Sequence, residues 1–136
     1  MADKNIRVRI AGILKRDDKI LLIKHRKNNK EYWLLPGGGV DYQETFSEAL
    51  KREFIEETNL EIEPKEMVFI MESIDPSGDK HIVNVTFLVE QTGGELKVGE
   101  EERLGELRFV ALDDLESYTV YPNIKYEIVE MFKNSK

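Results

Sequence analysis

Three glutamates, Glu53, Glu56 and Glu57, close the stretch FSEALKREFIEET, whose apolar residues recur with the period of a helix. Successive helical residues turn by about 100°. With Phe46 at zero, Ala49 falls near about −60°, Leu50 near about +40° and Phe54 near about +80°, which defines an apolar stripe facing the protein body. Glu53 near about −20° and Glu57 near about +20° lie inside that stripe, and Glu56 near about −80° lies at its edge. A helix C-terminus carries partial negative charge, so carboxylates in its last turns are disfavoured, and on adjacent turns they also repel one another. One reading is a charged amphipathic helix whose acids drift toward the core edge. The other is a bound divalent cation, which would remove the repulsion and the desolvation cost together. Carboxylates suit a hard, oxygen-seeking ion, and the chain has no cysteine to build a thiolate site.

The elements that must position these acids can be read along the chain. IRVRIAGILKRDDKILLIKHR predicts a hairpin, with strands over Arg7–Lys15 and Lys19–Lys24 around the turn Arg16-Asp17-Asp18. EYWLLP predicts a short strand ending at Pro36, and Gly37-Gly38-Gly39 then allows close backbone approach. The helix is expected from about Thr45 to Thr58. Strands over Glu66–Ser73 and His81–Glu90 flank the turn DPSGD, and TGGE reads as a further turn. ELRFVAL predicts a last strand, DDLESY a short turn, and PNIKYEIVEMF a closing helix with Pro122 near its start. No repeat or linker interrupts this order. The prediction is one α+β domain over residues 1–136.

Composition narrows the function classes. The chain carries 20 basic and 27 acidic residues, a net charge of −7, which opposes binding of long nucleic acids through their phosphates. A small phosphorylated ligand arriving with metal ions is not opposed. No apolar run is long enough to span a bilayer, and MADKNIRVRI lacks a signal-peptide core, so a cytoplasmic location without membrane attachment is expected.

Gly38, five residues, Glu44, seven residues, Arg52-Glu53-Phe54, one residue, Glu56-Glu57, one residue, Asn59-Leu60 resembles the Nudix box of the Nudix hydrolase superfamily. WLLPGGG leading in and ELRFVALDDL near the end are similar too. The resemblance implies an α/β/α sandwich with a mixed sheet. It implies hydrolysis of a nucleoside diphosphate linked to another moiety, with Mg²⁺ or Mn²⁺ required. Carried over by position, Glu53, Glu56 and Glu57 would be metal ligands together with the main-chain carbonyl of Gly38. Arg52 would orient the glutamates, so Arg52, Glu53 and Glu57 form the expected catalytic set. Glu44 would tie the loop to the helix start. Asn59 stands where the family has a helix-ending glycine; asparagine tolerates the left-handed conformation, so the cap is expected to form.

Outside the box the signals are thinner. Glu53 is the first choice for a ligand that also accepts a proton from water, and Glu101 or Glu102 in GEEERLGE is the alternative general base. Arg26 in IKHRK is the best phosphate-facing candidate because its fork matches phosphate oxygens, whereas His25 is expected at a surface or strand end. Tyr32, Trp33 and Phe69 could stack on a base or pack in the core. Members of the superfamily acting on ADP-ribose often carry a proline fifteen or sixteen positions past the box, and Pro76 lies sixteen past Leu60. ADP-ribose or a related nucleotide sugar is therefore the first substrate expectation. Nucleoside triphosphates and dinucleoside polyphosphates are the alternatives, and a non-enzymatic nucleotide sensor is the remaining one. Homodimers are frequent in the superfamily, so a homodimer is a further expectation.

Overall fold

In the computed structural model the described residues are 5–133, so the ends of the 1–136 reading lie outside the described residues. Seven strands lie among them: β1 (Ile6–Arg16), β2 (Lys19–Lys27), β3 (Lys30–Leu34), β4 (Gly37–Gly39), β5 (Leu60–Ile74), β6 (His81–Gly94) and β7 (Leu104–Ala111). Helix α1 (Phe46–Thr58) follows β4, a 3-10 helix (Leu112–Ser117) follows β7, and α2 (Lys125–Lys133) closes the order.

Alternation along β1 divides the core in two. Successive strand side chains point to opposite faces. Ile10 and Leu14 pack with Ala49, Leu50 and Phe54 of α1, while Ala11 and Ile13 pack with Ile124 and with Ile128 of α2. One helix thus covers each side, the α/β/α arrangement. Phe54 and Leu50 are fully buried, worth roughly 1.5–3 kcal/mol each against exposure. Gly12 lets the helix approach: a Cβ there would stand 2.6 Å from the Phe54 ring.

The sheet is mixed. β1 runs parallel to β6 from Ile6↔His81 to Leu14↔Val89, and β6 pairs antiparallel with β5. β2 lies antiparallel between β3 and β7 and meets β1 at the hairpin end, Lys15↔Ile20 and Arg16↔Lys19.

Several boundaries differ from the sequence reading. The glycine triplet is itself a strand, paired with β1 through Arg9↔Gly39, Ile10↔Gly38 and Ala11↔Gly37. β5 starts at Leu60 rather than near Glu66. It lies at the sheet edge, where register shifts around Pro64 accommodate a residue that cannot donate to the ladder. TGGE is not a free turn, since Gly93 and Gly94 pair with Glu61 and Leu60. α2 begins three residues after Pro122, because Thr119 and Tyr121 are still bonded to Trp33 of β3.

Candidate functional site

Helix α1 is set by its ends. Thr45 accepts from the Glu48 amide at 3.0 Å, and the Glu48 carboxylate accepts from the Thr45 amide at 2.9 Å, a reciprocal cap. At the other end Asn59 takes φ 62°, its amide donates to the Ile55 carbonyl, and its side-chain amide donates to the Glu95 carbonyl at 2.8 Å. The amides of Lys97 and Gly99 donate to the carbonyls of Thr58 and Glu57. The segment after β6 therefore lies against the helix end, where it satisfies carbonyls that have no partner within the helix.

The glutamates placed inside the apolar stripe are buried: Glu53 is 8% and Glu57 1% exposed. Glu56 is exposed. Gly38 lies directly against Glu53, and a Cβ on it would reach 2.5 Å from Glu53 Oε1. Only glycine lets the β4 backbone, with its carbonyls, come so near the carboxylate.

Arg52 organises the outer half of the cluster. It donates from Nε and Nη2 to both Glu44 oxygens at 2.8 and 2.9 Å, from Nη1 to Glu53 Oε1 at 2.7 Å, and from Nη2 to the Gly39 carbonyl at 3.1 Å. Its Nη1 is 3.5 Å from Glu56 Oε1. This fork holds the Glu44 carboxyl down at about 2, helped by the Asp41 amide. Burial pushes the Glu53 carboxyl up, against the pull of Arg52.

Glu57 forms the inner half. Its Oε1 accepts from the Gly37 amide at 2.9 Å, and its buried Oε2 has no hydrogen-bond partner. Burial raises this carboxyl to about 7, opposed by the Gly37 amide and by Arg9. An unpartnered buried oxygen of this kind is costly. Its neighbours are Arg103 Nη2 at 3.7 Å and His25 Nε2 at 3.8 Å. Burial, with Arg103 and Arg9 nearby, lowers His25 to about 4, so the imidazole is neutral.

Among the described residues no three acidic or histidine side chains already converge as a cage. Those able to hold a hard cation are Glu53, Glu56 and Glu57 near the end of α1, with the Gly38 backbone directly against Glu53. The orphaned Glu57 oxygen and the all-oxygen donor set fit a divalent ion.

The remaining candidates are distributed around this centre. Arg26 shares an open hollow with Glu101, Glu102 and Arg103, and its amide donates to the Arg103 carbonyl at 2.8 Å. Its guanidinium is spent on Glu31 at 2.9 Å. Glu101 pairs with Arg103 at 2.5 Å. Pro76 sits in the exposed Asp75–Lys80 turn, closed by Asp75 accepting from Ser77 and Gly78. Trp33 packs in the core and Phe69 against it, and Tyr32 tilts onto His25. His25 is corrected: it lies within the last residues of β2 but is buried beside Glu57 rather than at the surface.

Arg9 and Arg103 went unrecognised in the sequence. Arg9 donates to the Leu35 carbonyl at 2.9 Å, and its charge acts on Glu57 and Glu53. A signal for it existed, since Arg9 shares the strand face of Ala11 and Ile13 and so points inward. Arg103 lies in a polar loop with no periodicity, and nothing local marks it.

Fold and site together define an α/β/α domain with a cluster of carboxylates near the end of one helix. Residues 4–132 match the NUDIX domain, and the chain belongs to the NUDIX hydrolase family. It is 41% identical over 110 residues to an ADP-ribose pyrophosphatase of Methanocaldococcus jannaschii, a match covering 79% of this chain and 63% of that one. It is 38% identical over 93 residues to a human 8-oxo-dGDP phosphatase, covering 68% of this chain and 27% of the relative. The chain thus spans less than two thirds of the length of these relatives. The crystal structure of a MutT NUDIX hydrolase from Burkholderia pseudomallei superposes with a TM-score of 0.78 at 32% identity, covering 93% of this chain and 97% of that one. No described helix is long and apolar enough to cross a membrane.

Proposed function

We propose that this chain hydrolyses the pyrophosphate linkage of a nucleoside diphosphate derivative, with Mg²⁺ or Mn²⁺ held by Glu53, Glu56, Glu57 and the Gly38 carbonyl. The observation that carries this reading is the buried, unpartnered Oε2 of Glu57 within a helix end that repels its own acids. Such an ion would screen phosphate charge and lower the pKa of bound water. The water oxygen bonds to phosphorus as the bridging P–O bond breaks, leaving two phosphate monoesters. Glu53 is the nearest choice to take the water proton, its Oε1 being steadied by Arg52. Glu101 is weaker in that role because Arg103 occupies its carboxylate.

ADP-ribose is the first substrate reading. It is supported by the name of the archaeal relative at 41% identity and by the position of Pro76. The 8-oxo-dGDP phosphatase relative favours an oxidised nucleoside diphosphate as the second. Incubation with ADP-ribose, 8-oxo-dGDP, a dNTP panel and diadenosine tetraphosphate in Mg²⁺ or Mn²⁺, followed by chromatography, separates these readings. AMP and ribose 5-phosphate are the expected products. Absence of turnover on the whole panel would favour a nucleotide sensor instead.

A further inference from the structure

We propose that the guanidinium of Arg103 is a stand-in cation for the Glu57 carboxylate, yielding that oxygen to the metal and then facing the phosphates of the bound substrate. The inference rests on the metal reading above and assigns a positioning role to a residue outside the helix. Glu57 Oε1 is committed to the Gly37 amide, so Oε2 is the oxygen free to take an ion. Arg103 Nη2 stands 3.7 Å from that oxygen, close enough to attract it but too far for a hydrogen bond. Its Nη1 lies 3.5 and 3.4 Å from the two ring nitrogens of His25, so no single directed bond pins it there either.

The strong bond that the guanidinium makes is to Glu101, an exposed acid two residues away. The Arg103 backbone, in contrast, is anchored, with its carbonyl accepting from the Arg26 amide. With its backbone fixed and its Nε bonded to Glu101, the guanidinium meets Glu57 only through charge, a contact that a divalent ion can displace. His25 Nε2 stands 3.8 Å from the same oxygen, also too far for a hydrogen bond. The charge of Arg9 also acts on Glu57, but its guanidinium is tied to the Leu35 carbonyl. Arg103 lines an open hollow with Arg26, Glu101 and Glu102, and its guanidinium fork matches phosphate oxygens once it leaves Glu57.

The test is a titration of the full chain with Mn²⁺ without nucleotide, followed by the paramagnetic signal of free Mn²⁺. The variants are Arg103→Gln, Arg103→Met and Arg103→Lys. Removing the competing charge should tighten Mn²⁺ binding roughly tenfold in the Gln and Met variants, while the Lys variant stays near wild type. Calorimetry with inorganic pyrophosphate at saturating Mn²⁺ should show the opposite order, with the Gln and Met variants binding several-fold more weakly. Unchanged or weaker Mn²⁺ binding in a folded Gln or Met variant would overturn the proposal. Wild-type protein that takes up no Mn²⁺ would remove the metal reading, and this inference with it.

Discussion

At the scale of single residues, Glu57 shows how burial and function pull against each other. Its carboxyl is raised to about 7 by burial, so the charged form is disfavoured in the folded state. For a raised carboxyl the stabilising contribution is complete below the unfolded value and is lost as pH rises through the folded one. In EDTA, the stability of wild type minus that of Glu57→Gln should therefore fall between pH 4.5 and about 7, by an amount on the order of 3 kcal/mol. Urea denaturation across that range measures it, and excess Mg²⁺ should flatten the difference by holding the carboxylate ionised. A flat difference in EDTA would mean that Glu57 is solvated. Glu44 belongs to the opposite class, kept charged by the Arg52 fork.

At the scale of elements, α1 has to carry buried acids at the end where its own dipole is negative. Part of the compensation is geometric. Asn59 turns the chain sharply, and the following segments return amides to the last helical carbonyls. Asn59→Ala should cost about 1–2 kcal/mol, from the left-handed penalty together with the lost bond to Glu95. Asn59→Gly should recover most of that loss, because glycine accepts the backbone conformation freely. Chemical denaturation of both variants distinguishes the terms: an equal loss would assign the whole effect to the side-chain bond. The β4 glycines are the second element-level device. Pairing with β1 sets their position, and the missing Cβ of Gly38 sets their distance from Glu53.

At the scale of the whole molecule, β1 is the divider. It sends alternate side chains into two cores, with Ile10 packed under α1 and Arg9 on the other face, donating to the Leu35 carbonyl. The net charge of −7 is also a whole-molecule property. It predicts affinity for long duplex DNA or RNA weaker than about 10⁻⁴ M at physiological salt, checked by gel retardation. Tight, salt-sensitive retention would show that the few basic residues around Arg26 and Arg103 outweigh the total.

The sequence by itself determined the helix, its stripe, the inward aim of Glu53 and Glu57 and the capping residue Asn59. These depend on local periodicity and local backbone preference, which are written within a dozen neighbouring residues. Its strand reading found the hairpin and the long β5–β6 pair but misjudged their ends. Ladder partners and the tolerance of an edge strand for Pro64 are not local properties. Only the tertiary structure decided that the glycine triplet pairs with β1, that His25 is buried and that the charges of Arg9 and Arg103 act on Glu57. Those meetings join residues from separate strands and loops. The field on one carboxylate is the sum of charges that the chain brings together only when it folds.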